Sequence, residues 1–519
     1  MSIIKGFATP DATSAHSKHF HAIQHGMLGR TGLRCAQAGF GCYRVADGVD
    51  VHRRALGLAL QGGINLIDTS ANYADGESEV LVGKVLTEMI GSGSLVRGEI
   101  IVVTKAGYLQ GRNYALSRER KAQGRPFSDL VTYAEGLEHC IHPEFLEEQL
   151  TRSLERLHLA TVDFFLLHNP EYYLSWAEGQ GLDHEASRRE YDRRILEAFR
   201  HLEQETARGR IRFYGISSNT FPESSDRKDF TCFQRVLELA DQLGPRHHFA
   251  MVQFPMNLLE SGAAWNANQP DGTTLLAAIR RTGLAAITNR PLNAMGPEGL
   301  LRLADVETPG LRTGEVIHQS IQALLASETA LVDDFLPQLG IAKEVQSQIS
   351  AQIRIAPALL QQYREFPSFD AWCRIRDTVL LPRINGVLIY LERRSFAVSL
   401  RSWIDAHRAN LVEALEGVTS IYAPAAVQRA ETLKYIVRQA DVDWGIEGSL
   451  SDLAIRAVRS TNGISSVLVG MRKPSYVQNV LRELRRKVTV KARGRGWAKV
   501  KQEVAPFHRS GEETQKGDS

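Results

Sequence analysis

The chain has 519 residues, enough for one large domain or for two to three ordinary ones. Its hydrophobic fraction of 43% and charged fraction of 23% are typical of a globular protein. The net charge of +3 is spread along the chain, which argues against nucleic-acid binding, and no apolar run reaches the ~18 residues that a membrane span needs.

The ends of the chain and its cysteines favour a cytoplasmic protein. The first twenty residues resemble neither a secretory signal nor a transit peptide. Five scattered cysteines without CxxC spacing argue for a reducing compartment, with no disulfide framework and no metal site.

Short apolar runs alternate with longer amphipathic ones from about Gly39 to Leu292. The runs are rich in β-branched and aromatic residues, which favours strands, and the segments between them have helical periodicity. One further strand is expected near Val467. In chain order the predicted strands are "AQAGFGCYR", "INLID", "EIIVVTK", "VDFFLLH", "IRFYGIS", "FAMVQF", "LAAITNRPL" and "ISSVLVGMR".

Eight strand–helix units predict an α/β fold, a closed (β/α)8 TIM barrel. An open sheet that binds a dinucleotide is expected to have GxGxxG after its first strand, and none is found. The segment "GSGSLVRG" has the wrong spacing and precedes a strand instead of following one. A Rossmann domain is therefore disfavoured.

The alternation stops between the seventh and eighth predicted strands, where apolar residues recur at three- and four-residue spacing. A connection of this length predicts a helical insertion subdomain. The expected organisation is a flexible N-terminal tail at 1–25, the first part of the barrel at 26–294, the helical insertion at 295–448, the last barrel unit at 449–490 and a basic C-terminal tail at 491–519.

Polar residues end three neighbouring predicted strands. Asp68 ends "INLID", Lys105 ends "IIVVTK" and His168 ends "VDFFLLH", while Tyr73 lies in the loop after Asp68. Each residue alone has an ordinary structural explanation: the aspartate as a helix cap, the lysine as a solvated side chain and the histidine as a hydrogen-bonded one. Because functional residues of such barrels lie at the carboxyl ends of the strands, we expect these four to converge on one rim.

The four residue types together suit proton transfer to a carbonyl. A free tyrosine has a pKa near ~10, a poor match for neutral pH. A lysine ammonium held by Asp68 is expected to lower the pKa of Tyr73. His168 can orient a substrate carbonyl while hydride arrives at its carbon.

Several stretches of this sequence resemble the aldo-keto reductase family. They are "LGRTGLRCAQAGFGCYR", "NLIDTSANYADGESEVLVGKVL", "VVTKAG", "LERLHLATVDFFLLHNP", "GRIRFYGISSN", "VQFPMNLLE" and "SDLAIRAVRSTNGISSVLVGMRKPSYVQNVL". The resemblance implies that Tyr73 is the general acid, that Lys105 and Asp68 tune it, and that His168 orients the carbonyl. It implies an oxidoreductase that interconverts an aldehyde, ketone or sugar carbonyl and an alcohol.

The same resemblance implies a nicotinamide cofactor, with NADP(H) favoured and NAD(H) as the alternative. The residues implied to contact it are Gly41, Cys42, Tyr43, Ser217, Ser218, Asn219, Gln253, Gly470, Arg472, Gln478 and Asn479. The doubled serine leaves the register open by one residue. Arg472 matches the segment that holds the adenosine phosphate, and a bidentate guanidinium suits a 2′-phosphate.

Two departures from the family pattern leave other functions open. Asn289 and Arg290 stand where the family commonly has an aromatic residue on the nicotinamide, and Arg290 is expected to stack there, or to reach a phosphate or an anionic substrate. The insertion leaves from the same rim. The alternatives are a cofactor-binding regulatory or scaffold protein whose insertion contacts a partner, and a barrel lyase or isomerase without net redox chemistry.

Overall fold

The computed structural model of the protein describes residues 3–296, 299–393, 398–445 and 447–509. Internal contacts divide the chain into two compact units. The first extends to Ala294 and resumes over 436–505, and the second covers Met295–Tyr435.

The first unit is a closed barrel of eight parallel strands. Each strand pairs with the next in chain order, and the eighth pairs with the first. The strands, β1 to β8, are Ala38–Gly41, Leu66–Asp68, Ile101–Ala106, Val162–His168, Ile211–Ser217, Phe249–Pro255, Ala285–Asn289 and Ser466–Val469. The predicted (β/α)8 fold is confirmed.

One main helix follows each strand before the next strand begins. These helices, α1 to α8, are Asp50–Gln61, Glu77–Gly91, Pro143–Leu157, His184–Ala207, Phe233–Asp241, Leu275–Thr282, Leu450–Arg459 and Pro474–Arg485. Local sequence determines several helix ends. Helix α3 begins with a proline, and the residue that caps its C-terminus, His158, has a left-handed conformation. Ser449 forms a capping box with Asp452 at the start of α7.

A hairpin that precedes β1 packs against the apolar interior of the barrel. It pairs His25–Met27 with Arg34–Ala36, and its turn residues Leu28 and Leu33 are buried in one cluster with barrel-strand side chains. At Gly29 a Cβ atom would stand 2.4 Å from the backbone nitrogen of Ala285, so the close approach of this turn requires glycine.

The prediction of a flexible tail over residues 1–25 is wrong for the described residues from 3 onward. A helix spans Pro10–His19, and the Ala8 backbone N–H donates to Asp163 Oδ1 at 2.7 Å. His16 is buried, with Nε2 3.1 Å from the Gly63 carbonyl oxygen. The segment is ordered because these contacts satisfy its polar groups against the barrel.

The prediction of a basic C-terminal tail over residues 491–519 is also wrong for the described residues, which extend to 509. A helix spans Gly494–Arg509, and Trp497 is fully buried with its indole N–H donating to Thr461 Oγ1 at 2.8 Å. Burial of this large aromatic side chain docks the helix. The remainder of the predicted tail, 510–519, lies outside the described residues.

The connection between β3 and α3 contains structure that the sequence pattern did not indicate. A three-stranded antiparallel sheet is built from Tyr108–Leu109, Val131–Ala134 and Leu137–His139. A helix, Gly111–Ala122, lies between its first two strands in sequence. Because this connection starts at the carboxyl end of β3, its side chains lie near the same rim as Lys105.

One buried carboxylate joins α8 to α7. Glu483 accepts hydrogen bonds from Arg456 and Arg459, and all three side chains are at most 3% exposed. Arg459 also donates to the side chains of Gln24 and Gln37. Two guanidinium charges therefore depend on one carboxylate for neutralisation.

The second unit lies in the sequence between β7 and β8 and has its own apolar core. A hairpin, Asn293–Gly296 with Gly299–Arg302, begins at its border. The main helices are Gly314–Ala330, Lys343–Ile353, Ala356–Gln362, Phe369–Ile375, Leu381–Glu392 and Val398–Ala440. Trp372 is fully buried in the core and donates its indole N–H to Thr419. No described helix is apolar over a stretch long enough to cross a bilayer.

Candidate active site

The ends of β2, β3 and β4 bring Asp68, Lys105 and His168 to one rim of the barrel. Lys105 Nζ donates to both carboxylate oxygens of Asp68, at 2.8 and 2.7 Å, and to the Thr69 carbonyl oxygen at 2.8 Å. The lysine is fully buried and the aspartate is 3% exposed. All three ammonium protons therefore have an acceptor, as a buried charge requires.

Gln253 holds the other side of Asp68. Its Nε2 donates to Asp68 Oδ1 at 2.8 Å, and its Oε1 accepts from Ser217 Oγ at 3.0 Å. Asn289 Nδ2 lies 3.4 Å from the same Oε1. The amide is therefore used at both ends, as part of a buried chain from Ser217 to Lys105.

Burial acts on both members of the ion pair. It lowers the pKa of Lys105 and raises the pKa of Asp68, while their mutual attraction opposes both changes. We conclude that the geometry, with bidentate contact and a complete set of acceptors, keeps the two groups together as a pair.

Tyr73 lies above this pair. Lys105 Nζ is 5.0 Å from the centre of the tyrosine ring, and the ring meets those of His168 and Tyr43 edge to face at 5.9 and 5.3 Å. The chain turns sharply after Tyr73, with Ala74 at φ 48° and Asp75 at φ 56°. Left-handed conformations of this kind are uncommon for residues other than glycine and mark a constrained turn.

The expected lowering of the Tyr73 pKa is wrong. Burial raises the pKa of the phenol well above 10.0, and the Asp68 carboxylate raises it further. The physical reason is that burial disfavours the charged phenolate, while the Asp68 carboxylate offsets the positive charge of Lys105. Tyr73 is therefore a phenol, with its proton in place, at physiological pH.

His168 is a neutral imidazole in this environment. Its Nδ1 lies 3.1 Å from Ser70 Oγ, and no described protein group pairs with Nε2. Burial lowers the pKa of His168 well below 6.5, with further lowering by Lys105 and His139. His139 also lies with Nε2 2.7 Å from the His168 carbonyl oxygen, which anchors the backbone at the strand end.

Aromatic side chains that the sequence did not single out line this rim. Tyr108 meets the His168 ring edge to face at 4.7 Å, and its hydroxyl accepts from Asn169 Nδ2 at 2.6 Å. Tyr172 packs against Tyr108 at 5.1 Å, and Tyr133 against Tyr172 at 4.6 Å. Only one feature of the sequence indicated these residues, their position after β3 and β4. The small sheet that contains Tyr108 and Tyr133 has no strong sequence pattern.

The predicted contacts at the end of β5 separate into two groups. Ser217 faces Gln253, whereas Ser218 Oγ contacts the hydroxyls of Thr220 and Thr231 at 3.2 and 3.1 Å. Asn219, half-buried, donates its backbone N–H to a buried carboxylate, Glu171 Oε1, at 2.7 Å. Of the two serines, only Ser217 belongs to the chain of hydrogen bonds that leads to Asp68.

Arg290 is engaged within the protein. Its Nη2 lies 2.7 Å from Glu260 Oε1, which ties the end of β7 to the loop after β6, and its φ of 54° is left-handed. The ion pair engages Nη2, whereas the buried Nε has no hydrogen-bond partner among the described residues. A contact of the guanidinium with a nicotinamide ring, a phosphate or an anionic substrate stays a prediction. The neighbouring Asn289 has a buried Oδ1 without a hydrogen-bond partner among the described residues.

The remaining predicted contacts follow β1 and β8, which are paired. Gly41 ends β1, where a Cβ atom would lie 3.3 Å from the Val469 carbonyl oxygen; Cys42 is buried and Tyr43 is 66% exposed. Burial raises the pKa of the Cys42 thiol, which excludes a thiolate role.

The segment after β8 leads into α8. Gly470 and Arg472 precede this helix, and Gln478 and Asn479 are exposed within it. Burial lowers the pKa of His52, and the nearby charge of Arg472 lowers it further. Among the described residues no carboxylate pairs with Arg472. The structure thus leaves one arginine available at a helix N-terminus.

Comparisons with known proteins give similar reductases and dehydrogenases. The NADH-specific methylglyoxal reductase of Escherichia coli (strain K12) is 29% identical over 149 residues, 27% of this chain and 40% of that protein. The L-galactose dehydrogenase of Arabidopsis thaliana is 32% identical over 128 residues, 23% of this chain and 38% of that protein. The chain thus matches less than half the length of either relative.

A solved structure of a glycerol dehydrogenase from Gluconobacter oxydans overlaps 93% of this chain and 96% of its own, at 14% identity and a TM-score of 0.44. The model of the aldo/keto reductase family matches residues 46–311, just over half of the chain. That match confirms the resemblance seen in the sequence: this chain belongs to the aldo/keto reductase family.

Proposed function

We propose that the protein is an NADP(H)-dependent oxidoreductase that interconverts a carbonyl compound and an alcohol, with Tyr73 as the general acid. The observation that carries the proposal is the buried pair of Lys105 and Asp68 beneath a protonated tyrosine, beside a neutral histidine. A purely structural role has no need of a fully buried ion pair at the open rim of a barrel.

The residues present fit a nicotinamide cofactor. Arg472 has no carboxylate partner among the described residues and precedes the twelve-residue helix α8, a favourable place for a phosphate. At the ends of β5, β6 and β7, the side chains of Ser217 and Gln253 and the unpartnered Oδ1 of Asn289 suit a carboxamide. We therefore retain the preference for NADP(H) over NAD(H) and the contacts that the resemblance implies. These contacts are Gly41, Cys42, Tyr43, Ser217, Ser218, Asn219, Gln253, Gly470, Arg472, Gln478 and Asn479.

When bound, NADP(H) supplies the hydride for reduction or accepts it in the reverse direction. His168 offers Nε2 to the substrate oxygen, because Nδ1 is occupied by Ser70. Tyr73 delivers its proton to that oxygen as negative charge develops there. A phenol with a raised pKa suits this role, since an alkoxide is a stronger base than a phenolate and draws the proton from it.

The aromatic rim favours small aldehydes, ketones and sugars as substrates. Tyr43 and Tyr133 are 66% and 43% exposed, so ring surface is available beside Tyr73. The names of the similar proteins, a methylglyoxal reductase and an L-galactose dehydrogenase, support the same range. A cytoplasmic location belongs to this proposal.

The test is turnover of NADPH by purified protein against a panel of aldehydes, ketones and sugars, with Lys105→Met as the comparison. We expect oxidation of NADPH with at least one carbonyl and a loss of at least ~100-fold in the variant. Tight NADPH binding without turnover of any carbonyl would instead favour a cofactor-binding regulatory protein, and product formation without cofactor consumption a lyase or isomerase.

A further inference from the structure

Beside the Asp68 carboxylate, the rim has another buried carboxylate, Glu171, which lies between the loops that follow β4 and β5. It comes three residues after His168 and is 3% exposed. Its Oε1 accepts the backbone N–H of Asn219 at 2.7 Å, and its Oε2 has no hydrogen-bond partner among the described residues. A carboxylate buried with one oxygen unpartnered is costly, so its position calls for an explanation.

The ordinary explanation, a helix cap, does not apply to this side chain. Glu171 is the residue before the short helix Tyr172–Gly179, yet its side chain makes no capping hydrogen bond to that helix. The hydrogen bond that it does make crosses to another loop, 48 residues along the chain.

Two backbone N–H groups form hydrogen bonds between residues 217–219, at the end of β5, and residues 169–171, after β4. The Asn169 N–H donates to the Ser217 carbonyl oxygen at 2.7 Å, and the Asn219 N–H donates to Glu171. Between these two points Ser218 is tied to Thr220 and Thr231. Of the two inter-loop bonds, the one to Glu171 depends on a side chain and can be removed by substitution.

We propose that Glu171 is a positioning residue, which holds residues 217–219 in the conformation that receives the carboxamide of a nicotinamide ring. The inference rests on the proposed function, because this loop receives that group only if the chain binds such a cofactor. Glu171 acts through Asn219 and does not itself touch the substrate.

Burial raises the pKa of Glu171 to about 7, against the lowering effects of its own backbone N–H, of the Asn219 N–H and of the Ser218 hydroxyl. The titratable groups that face it are Asp229, whose charge raises its pKa further, and the phenols of Tyr108, Tyr172 and Tyr191. Above this pKa the acceptor is a carboxylate, whose hydrogen bond is stronger than that of the neutral acid present below it. The loop is therefore held more firmly at pH 8 than at pH 6.

The experiment measures the dissociation constant of NADPH by titration of protein fluorescence at pH 6 and pH 8. Glu171→Gln keeps a neutral acceptor at both pH values, and Glu171→Met keeps the length but no acceptor. Glu328→Gln is the matched control, because Glu328 is also buried, also accepts backbone N–H groups, and has its pKa raised to about 7 by burial, in the other unit.

For Glu171→Gln, the ratio of its dissociation constant to that of the wild type is expected to be near one at pH 6 and about fivefold at pH 8. Titration of the NADPH phosphate cancels in this ratio. Glu171→Met is expected to bind about tenfold more weakly than the wild type at pH 6 and about a further fivefold more weakly at pH 8, with a higher KM for NADPH and an unchanged kcat at saturation. The control ratio stays near one throughout.

A ratio for Glu171→Gln that does not change with pH would overturn the inference while leaving the proposed function intact. The comparison of Glu171→Gln with the wild type at the two pH values therefore tests the inference even if Glu171→Met fails to fold. Absence of NADPH binding by the wild type would contradict the proposed cofactor first, and this inference with it.

Discussion

The buried ion pair makes Lys105→Met the most informative single substitution for stability. Lys105 Nζ donates three hydrogen bonds, two to Asp68 and one to the Thr69 carbonyl oxygen, and neither charged side chain is more than 4% exposed. Methionine fills a similar volume without a charge, so Asp68 would retain only the Gln253 amide as a side-chain donor. Loss of one partner from a buried pair costs about 3 to 5 kcal/mol.

The loss is expected to depend on pH with a definite sign. Without Lys105, burial raises the pKa of Asp68 in the folded state above the unfolded value, opposed only by the hydrogen bond from the Gln253 amide. Stability that depends on the protonated acid is present at low pH and is lost as pH rises through the folded pKa. The free energy of unfolding of Lys105→Met should therefore fall further below that of the wild type at pH 8 than at pH 5.5.

The assay is urea unfolding followed by circular dichroism at the two pH values. The double variant Asp68→Asn, Lys105→Met is the control, because removal of both charges should recover most of the loss. A single variant that loses less than about 1 kcal/mol at pH 8, or the same amount at both pH values, would refute the role given to the pair.

Three further outcomes are expected. Arg472→Leu should weaken NADPH binding at least ~10-fold and leave NADH binding nearly unchanged, because only the 2′-phosphate loses a charge-assisted contact. Arg485→Leu, at the far end of α8, is the control. Equal losses of affinity for both cofactors would contradict the assignment of Arg472 to the 2′-phosphate. The kcat for carbonyl reduction should be flat from about pH 6 to about pH 9, because burial raises the pKa of the Tyr73 phenol well above 10.0; a fall in rate between pH 7 and 9 would disagree. Glu483→Gln should lower the free energy of unfolding by about 3 kcal/mol, because it leaves two buried guanidinium groups without a counter-charge, and a wild-type urea midpoint would count against this.

The convergence of Asp68, Lys105 and His168 could be predicted because it follows from periodicity and topology. Each residue directly ends an apolar run, and parallel strands in a barrel place such ends on one rim. The structure agrees, with all three side chains buried at strand ends. No three-dimensional information beyond the strand count was needed.

The electrostatics of Tyr73 could not be predicted from the same pattern. The sequence indicates which charges are near, but the direction of the pKa change depends on the balance between burial and a cation that is itself neutralised. Here burial is the largest cause and the Asp68 charge the next, so the pKa rises.

Contacts between distant loops were missed for a related reason. Glu171 meets Asn219, and Arg290 meets Glu260, across connections whose conformation leaves no periodic signal. By contrast, the helix at Pro10–His19 did have a signal: Thr9 accepts from the Ala12 N–H, a proline follows at the first position and an acidic residue lies in the first turn.

The most direct test of the central claim is a single-turnover measurement of Tyr73→Phe. Protein loaded with NADPH is mixed rapidly with a carbonyl that the wild type reduces, and NADPH absorbance and alcohol product are followed together. We expect normal NADPH binding in the variant, with product formation slowed at least ~100-fold because no phenol proton reaches the oxygen. Product formed by Tyr73→Phe at the wild-type rate would contradict the assignment of the general acid.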